Sequence, residues 1–271
     1  WCGDVLKDEF VYKIQGEQDG CYLDQFGGSL TAHTDDILRA HNFLEGENFF
    51  ATYASAQEVM EGKFQPSGTD YIIHVLGDNQ REEYLKCFEE GNFKYAATMR
   101  DVGFSEWESW IRRANWFFYR ELFDEWHPVF TNSYETYWER NGDTSTPEKA
   151  EINLEVITND DGTATITATA PGDYNGFADV KIDYSINNRN VGRRVTSFIF
   201  RRLAKVQDSN TEYYEPFYEM NYLPGEGTQY IPITIENGKG EITILGQPDR
   251  FTEVVLHNVE LMNSFSVLYA Y

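Results

Sequence analysis

The run Glu212-Tyr213-Tyr214-Glu215-Pro216-Phe217-Tyr218-Glu219-Met220-Asn221-Tyr222 sets aromatic rings among carboxylates and an amide. A sugar-binding groove uses those residue types, because apolar ring faces stack on pyranose rings while acids and amides take the hydroxyls. Tyr213, Tyr214, Tyr218 and Tyr222 are therefore candidate ligand-binding residues, with a glycan or protein surface as the partner. An aromatic loop packed over one end of a β-sandwich has the same composition. Arg193-Arg194 and Arg201-Arg202 concentrate positive charge in an otherwise acidic chain. On paired strands they make either a cationic strip toward an acidic partner or a solvated face.

Other recognisable chemistry is sparse. The chain has no His-Glu-x-x-His, no Gly-x-Ser-x-Gly, no phosphate-cradling glycine-rich loop and no Gly-x-Gly-x-x-Gly. Its histidines, His33, His41, His74, His127 and His257, are scattered, and each is expected in a structural or surface role. Cys2, Cys21 and Cys87 lack metal-ligand spacing, so no metal site is expected from them.

The elements that must position these residues change character near residue 142. Up to Arg140, strands mix with long aromatic helices. After Asn141-Gly142-Asp143-Thr144-Ser145-Thr146-Pro147 the chain becomes short alternating runs punctuated by Gly, Asn, Asp and Pro. The expected fold class is α+β: a mixed domain over residues 1–143 and an antiparallel β-sandwich, jelly-roll or immunoglobulin-like, over residues 147–271. In the first, strands are expected at 10–14, 49–53 and 71–76. Helices are expected at 33–43, at 55–62, from Trp107 until Pro128 interrupts, and at 132–140. In the second, 152–158 and 164–170 form a hairpin about Asp160-Asp161-Gly162. Further strands are expected at 178–186, 195–203, 230–235, 240–245, 252–257 and 265–269.

Taken in order, the first half carries Glu9-Phe10-Val11-Tyr12-Lys13-Ile14, Gln25-Phe26-Gly27-Gly28-Ser29-Leu30-Thr31, Phe49-Phe50-Ala51-Thr52-Tyr53-Ala54-Ser55, Tyr71-Ile72-Ile73-His74-Val75 and Glu106-Trp107-Glu108. This order resembles the catalytic chain of the heat-labile-enterotoxin, cholera and pertussis type of mono-ADP-ribosyltransferase, over roughly residues 9 to 125. That family has a Val-Tyr-Arg strand, an apolar-Gly-Gly-apolar turn, a strand ending in Ser-Thr-Ser, a Tyr-Ile-Tyr-x-Ile strand and a Glu-x-Glu or Gln-x-Glu pair. The resemblance implies an ADP-ribosyltransferase-like domain with NAD as its substrate. It implies Glu108 as the carboxylate that stabilises an oxocarbenium-like ribose, Glu106 as its upstream partner, Thr52 as an ordering hydroxyl and Lys13 at the dinucleotide-phosphate position. Lys13 stands where the family has an arginine and lacks the bidentate fork, and Ala51 and Tyr53 stand where the family has serines. These departures imply weak or absent turnover. Glu106 and Glu108 also lie where the helical period of Trp107, Ile111, Ala114 and Phe118 begins, and an acidic helix start favoured by the macrodipole accounts for both without chemistry.

Composition narrows the function classes. Among 271 residues, 45 Asp and Glu oppose 22 Lys and Arg for a net charge of −23. That balance repels nucleic-acid phosphates and anionic lipid headgroups. No apolar stretch approaches a bilayer crossing and no signal-peptide pattern is present, so a soluble chain with no membrane insertion is expected, any leader already removed. Aromatic residues make up 16% of the chain, which excludes wholesale disorder. Few lysines and many Asn, Thr and Tyr favour a secreted or cell-surface location. If the chain is exported, Cys2 and Cys21 are expected to pair while Cys87 stays reduced. Two functions follow: an exported protein with a weakly active or inactive transferase-like domain joined to a β-sandwich attachment domain, or a non-enzymatic surface, adhesion or assembly protein, glycan binding included.

Overall fold

The computed structural model describes residues 21–23, 28–30, 34–53, 55–100, 108–142, 149–188, 203–210, 222–224, 226–247 and 252–266. The chain is α+β with mostly antiparallel sheets. It divides into two compact units, Trp1–Phe104 with Pro128–Arg140 and Ala270–Tyr271, and Ser105–His127 with Asn141–Tyr269. The expected strand at 10–14 and most of those at 195–203 and 265–269 lie outside the described residues. So do Cys2, Lys13, His33, Glu106, Tyr213, Tyr214, Tyr218 and both arginine pairs. Cys87 is free.

In the first unit, β1 (Cys21–Leu23) and β2 (Gly28–Leu30) form an antiparallel pair. A four-stranded sheet follows from β3 (Phe49–Ala51), β4 (Tyr95–Met99), β5 (Trp126–Thr131, of which 128–131 belong here) and β6 (Glu135–Arg140), in the order β3-β4-β6-β5. Strand β3 runs parallel to β4, and β4 antiparallel to β6 with Ala97 opposite Tyr137. Helix α1 (Thr34–Leu44) supplies Ala40 and Leu44, four apart and so on one face, to a core with Phe49, Ala51, Tyr95, Ala97 and Tyr137. The opposite pleat is met by α3 (Asp78–Glu90): Tyr84 and Phe88, again four apart, each lie 5.1 Å from the Phe50 ring. Between them in sequence, α2 (Ser55–Glu61) follows β3.

Two expectations here are corrected. Residues 71–76 form a 3-10 turn over Ile72–His74, not a strand. Tyr71, Ile72 and Val75 are buried while His74 and Leu76 are exposed, a helical spacing that a short apolar run does not reveal. Residues 132–140 form a turn and strand β6, not a helix. The Asn132 Oδ1 accepts the N–H groups of Tyr134 (2.9 Å) and Glu135 (2.7 Å), an Asx turn that competes with helix. The β-favouring Thr136, Tyr137 and Trp138 then extend.

In the second unit, the helix expected from Trp107 is broken into α4 (Glu108–Ala114) and α5 (Trp116–Glu125). Between them, the Asn115 side chain donates to the Ile111 carbonyl (3.0 Å) and its backbone leaves helical geometry. Among the described residues eight strands follow: β7 (Asn153–Thr158), β8 (Ala164–Thr169), β9 (Gly176–Asn188), β10 (Leu203–Asp208), β11 (Tyr222–Pro224), β12 (Glu226–Ile235), β13 (Lys239–Gln247) and β14 (Thr252–Phe265). They form an antiparallel sheet β11-β10-β13-β8-β7 and another, β12-β9-β14.

Alternation explains the core of this unit. Ala164, Ile166 and Ala168 of β8 and Ile242 and Ile244 of β13 join Ala178, Val180, Ile182, Tyr184 and Ile186 of β9 in one buried cluster. The opposite pleat of β9 carries Phe177 and Asp179, and it is covered by α5. Phe123 stacks on Phe177 at 5.6 Å, and Trp116 lies 5.8 Å from Phe177 and 6.0 Å from Phe265. Local turns fix the hairpins. Gly162 has φ 87°, and Asp161 Oδ1 accepts from the Thr163 N–H (2.9 Å). Asn237 and Gly238 have φ 51° and 80°, the left-handed pair of a tight β12–β13 turn. Asp208, on β10, ties one sheet to the other by accepting the Thr234 N–H of β12 at 3.0 Å.

Candidate functional site

Strand β3 leads into Thr52, which is 1% exposed. Its N–H (2.9 Å) and its hydroxyl (3.3 Å) both donate to the Ala97 carbonyl of β4, and its own carbonyl accepts the Ile72 N–H (3.0 Å). The hydroxyl is committed to β4, while the backbone of Thr52 joins β4 and the 3-10 turn. The Tyr53 ring lies 4.5 Å from that of Tyr71. Glu108 is the first residue of α4 in the second unit, and Thr52 belongs to the first. No two of the expected catalytic and dinucleotide-binding residues therefore share a unit among the described residues. Tyr222 stands on β11 opposite Lys205 of β10.

The first unit contains a polar cluster that the sequence reading missed. Glu135, at the start of β6, accepts a 2.6 Å bond from the Tyr137 hydroxyl and a 3.3 Å bond from the Asn132 amide, both on Oε2. Burial pushes its carboxyl up to about 7; those two hydrogen bonds oppose the rise, while the charges of Asp36 on α1 and Glu58 on α2 add to it. Burial also raises Glu58, whose Oε1 accepts the Gln65 N–H at 3.0 Å. On α2, Glu61 accepts from Gln57 (2.7 Å) and pairs with His41 (2.8 Å). A carboxyl titrating near neutrality is able to move a proton. Here the oxygen that is bonded serves side chains of its own sheet and turn. Among the described residues no group of three or more His, Cys, Asp or Glu is arranged to hold a metal ion. A period-two reading of Glu135, Tyr137 and Glu139 would have placed the cluster on a strand.

The second unit presents a sheet edge. Among the described residues, strand β7 pairs only with β8, in a register without shifts from Asn153↔Thr169 to Thr158↔Ala164. Its Val156 and Ile157 are 42% and 45% exposed. The Asn159 N–H donates to Thr163 at 2.8 Å, so the two-residue alternation of an antiparallel ladder bonds 157, 155 and 153 to β8. It turns the N–H and C=O groups of Leu154, Val156 and Thr158 to the open side. The other described edges are interrupted. Strand β14 has bulges between Leu256 and Asn258 and between Leu261 and Asn263, β12 carries Pro232, β5 carries Pro128, and β1, β2, β3 and β11 have three residues each. Bulges, prolines and short length are what protect edges from strand addition. Strand β7 has none of them.

No family profile matches the chain, and no curated protein matches it. Among solved structures, dimeric latent PorU from Porphyromonas gingivalis is similar over 50% of this chain and 16% of its own, at 9% identity and a TM-score of 0.29. The chain thus spans under a fifth of that protein's length, and a likeness of this size carries no argument about fold or function. No described helix is long and apolar enough to cross a membrane.

Proposed function

We propose that this chain is a non-enzymatic surface or assembly protein whose strand-rich unit, a β-sandwich attachment module with a helix on one outer face, binds a protein partner. The observation that carries this reading is the open β7 edge, with Val156 and Ile157 exposed beside unprotected backbone groups. In a sequence of this charge and composition, secretion or surface display fits the same reading. The first unit is then transferase-like at most by ancestry, because the hydroxyl of Thr52 is bonded to the Ala97 carbonyl and Glu108, at the start of a helix, belongs to the other unit.

The competing reading, an active ADP-ribosyltransferase-like domain with NAD as substrate, is separated by one assay. The full chain incubated with NAD is expected to release nicotinamide no faster than buffer, with Glu108→Gln giving the same trace. Release above buffer that Glu108→Gln abolishes overturns the non-enzymatic reading.

A further inference from the structure

We infer that the β7 edge is completed by an extended, cationic segment of a partner protein, which adds as a sixth strand to the five-stranded sheet. This rests on the binding reading above and names its occupant.

The backbone groups of Leu154, Val156 and Thr158 offer alternate hydrogen-bonding sites along the open side, the pattern that strand addition uses. The side chains set what the incoming strand must carry. Leu154 packs against the core, and Val156 stands opposite the fully buried Ile166. The core-side pleat of the edge is therefore apolar at Leu154 and Val156, with Thr158 at its end opposite Ala164, and it is incompletely covered. On the other pleat stand Asn153, Glu155 and Ile157, opposite Thr169, Thr167 and Thr165. Thr167 in turn donates to Glu241 of β13 at 3.4 Å, so Glu155 and Glu241 carry negative charge on either side of it. From Glu151 to Ile166 the chain has Glu151, Glu155, Asp160 and Asp161 and no lysine or arginine. The nearest preceding cation, Lys149, pairs with Asp124 at 3.7 Å. An incoming strand with apolar residues on one pleat and Lys or Arg on the other matches both faces. A second copy of this chain would bring another β7 that is acidic and lacks lysine and arginine, and another net −23. Like charges directly across strands are unfavourable.

The test uses the full chain and three synthetic ten-residue peptides in which valine alternates with lysine, threonine or glutamate. The lysine peptide is expected to bind about tenfold tighter than the threonine peptide at low salt, the glutamate peptide not at all, and the lysine advantage to shrink as salt rises. Val156→Pro removes an outward N–H and leaves the β8 ladder intact, and it is expected to weaken the lysine peptide about tenfold or more. N-methylation of alternate amides in that peptide should do the same with the protein unaltered. Glu155→Gln should weaken the lysine peptide and leave the threonine peptide unchanged. Equal affinity for all three peptides, sensitive to Val156→Pro, overturns the cationic occupant and leaves edge recognition standing. Binding that ignores both N-methylation and Val156→Pro, or no binding of any peptide, overturns strand addition altogether. Self-association of the wild type that Val156→Pro abolishes would make the occupant a second copy and overturn this inference.

Discussion

Asp179→Ala is expected to destabilise the strand-rich unit by about 3–5 kcal/mol, the range for removing one partner of a buried ion pair. Asp179 is fully buried near the start of β9. Its Oδ1 accepts the indole N–H of Trp116 at 2.8 Å, and its Oδ2 accepts the Nε (3.1 Å) and Nη2 (2.8 Å) of Arg120. Burial works against the Arg120 charge, but the Asp179 carboxylate outweighs it and holds the guanidinium above its ordinary value. Alanine leaves a half-buried guanidinium and a buried indole N–H without their acceptor, beneath a helix whose place depends on both. The Arg120 guanidinium also lies 4.2 Å from the centre of the Tyr230 ring, so its displacement disturbs β12 as well. Chemical denaturation of the full chain should show the loss, with the melting transition of this unit falling by roughly 10 °C or more. The paired change Asp179→Leu with Arg120→Met removes both charges and should cost much less than the sum of the single changes. A single Asp179→Ala within about 1 kcal/mol of wild type, judged against that expected range, would mean that α5 is held by its aromatic packing alone.

That node also marks where sequence and structure part. In β9, Ala178, Val180 and Ile182 announce the core pleat, and the alternation assigns Phe177, Asp179 and Lys181 to the other face. Nothing local distinguishes a solvated Asp179 from one covered by Trp116 and Arg120, which stand 63 and 59 residues away. The β7–β8 hairpin was legible because its determinants are local: Asp161 bonds Thr163 two residues on, and Gly162 takes the positive φ. Strands β9, β12 and β13 were legible by alternation, whereas β10 starts where a strand was expected to end, β11 was not expected, and β14 runs unbroken from Thr252 to Phe265 where separate strands were expected at 252–257 and 265–269. Strand β4, Tyr-Ala-Ala-Thr-Met, is buried on both faces, so no alternation shows it. The helix expected at 132–140 failed because its aromatic residues suit either period, and the Asn132 turn that decides between them acts through the backbone of Tyr134 and Glu135. The transferase-like order of motifs took 71–76 as a strand, and a 3-10 turn stands there instead; Glu108 begins α4, as the helical period from Trp107 already suggested. The β7 edge was legible as a strand but not as an edge, since pairing order is a property of the whole sheet.

Raising the pH from 5 to 8 is expected to weaken the first unit by about 3 kcal/mol through Glu135 alone. Its carboxyl titrates at about 7 in the folded chain against an ordinary 4.5, so between those values the folded state keeps a proton that the unfolded chain has released. Stability from this group is therefore full below 4.5 and is lost as pH rises through 7. A difference of about 2.5 pH units corresponds to about 3 kcal/mol. Glu58, also raised by burial, acts in the same direction. The exposed Asp70, lowered chiefly by its bond from His74, acts below its ordinary 3.8 and so outside this window. Glu135→Gln isolates the effect. Its amide oxygen still accepts from the Tyr137 hydroxyl and the Asn132 amide, and the group no longer ionises. Urea denaturation of the full chain, followed through the transition of the first unit, should give the variant a stability advantage at pH 8 of about 3 kcal/mol over its difference from wild type at pH 5. Parallel pH profiles for the two proteins would show that Glu135 is already ionised at neutral pH. The Tyr137–Asn132 pair would then be enough to hold its charge beside Asp36 and Glu58.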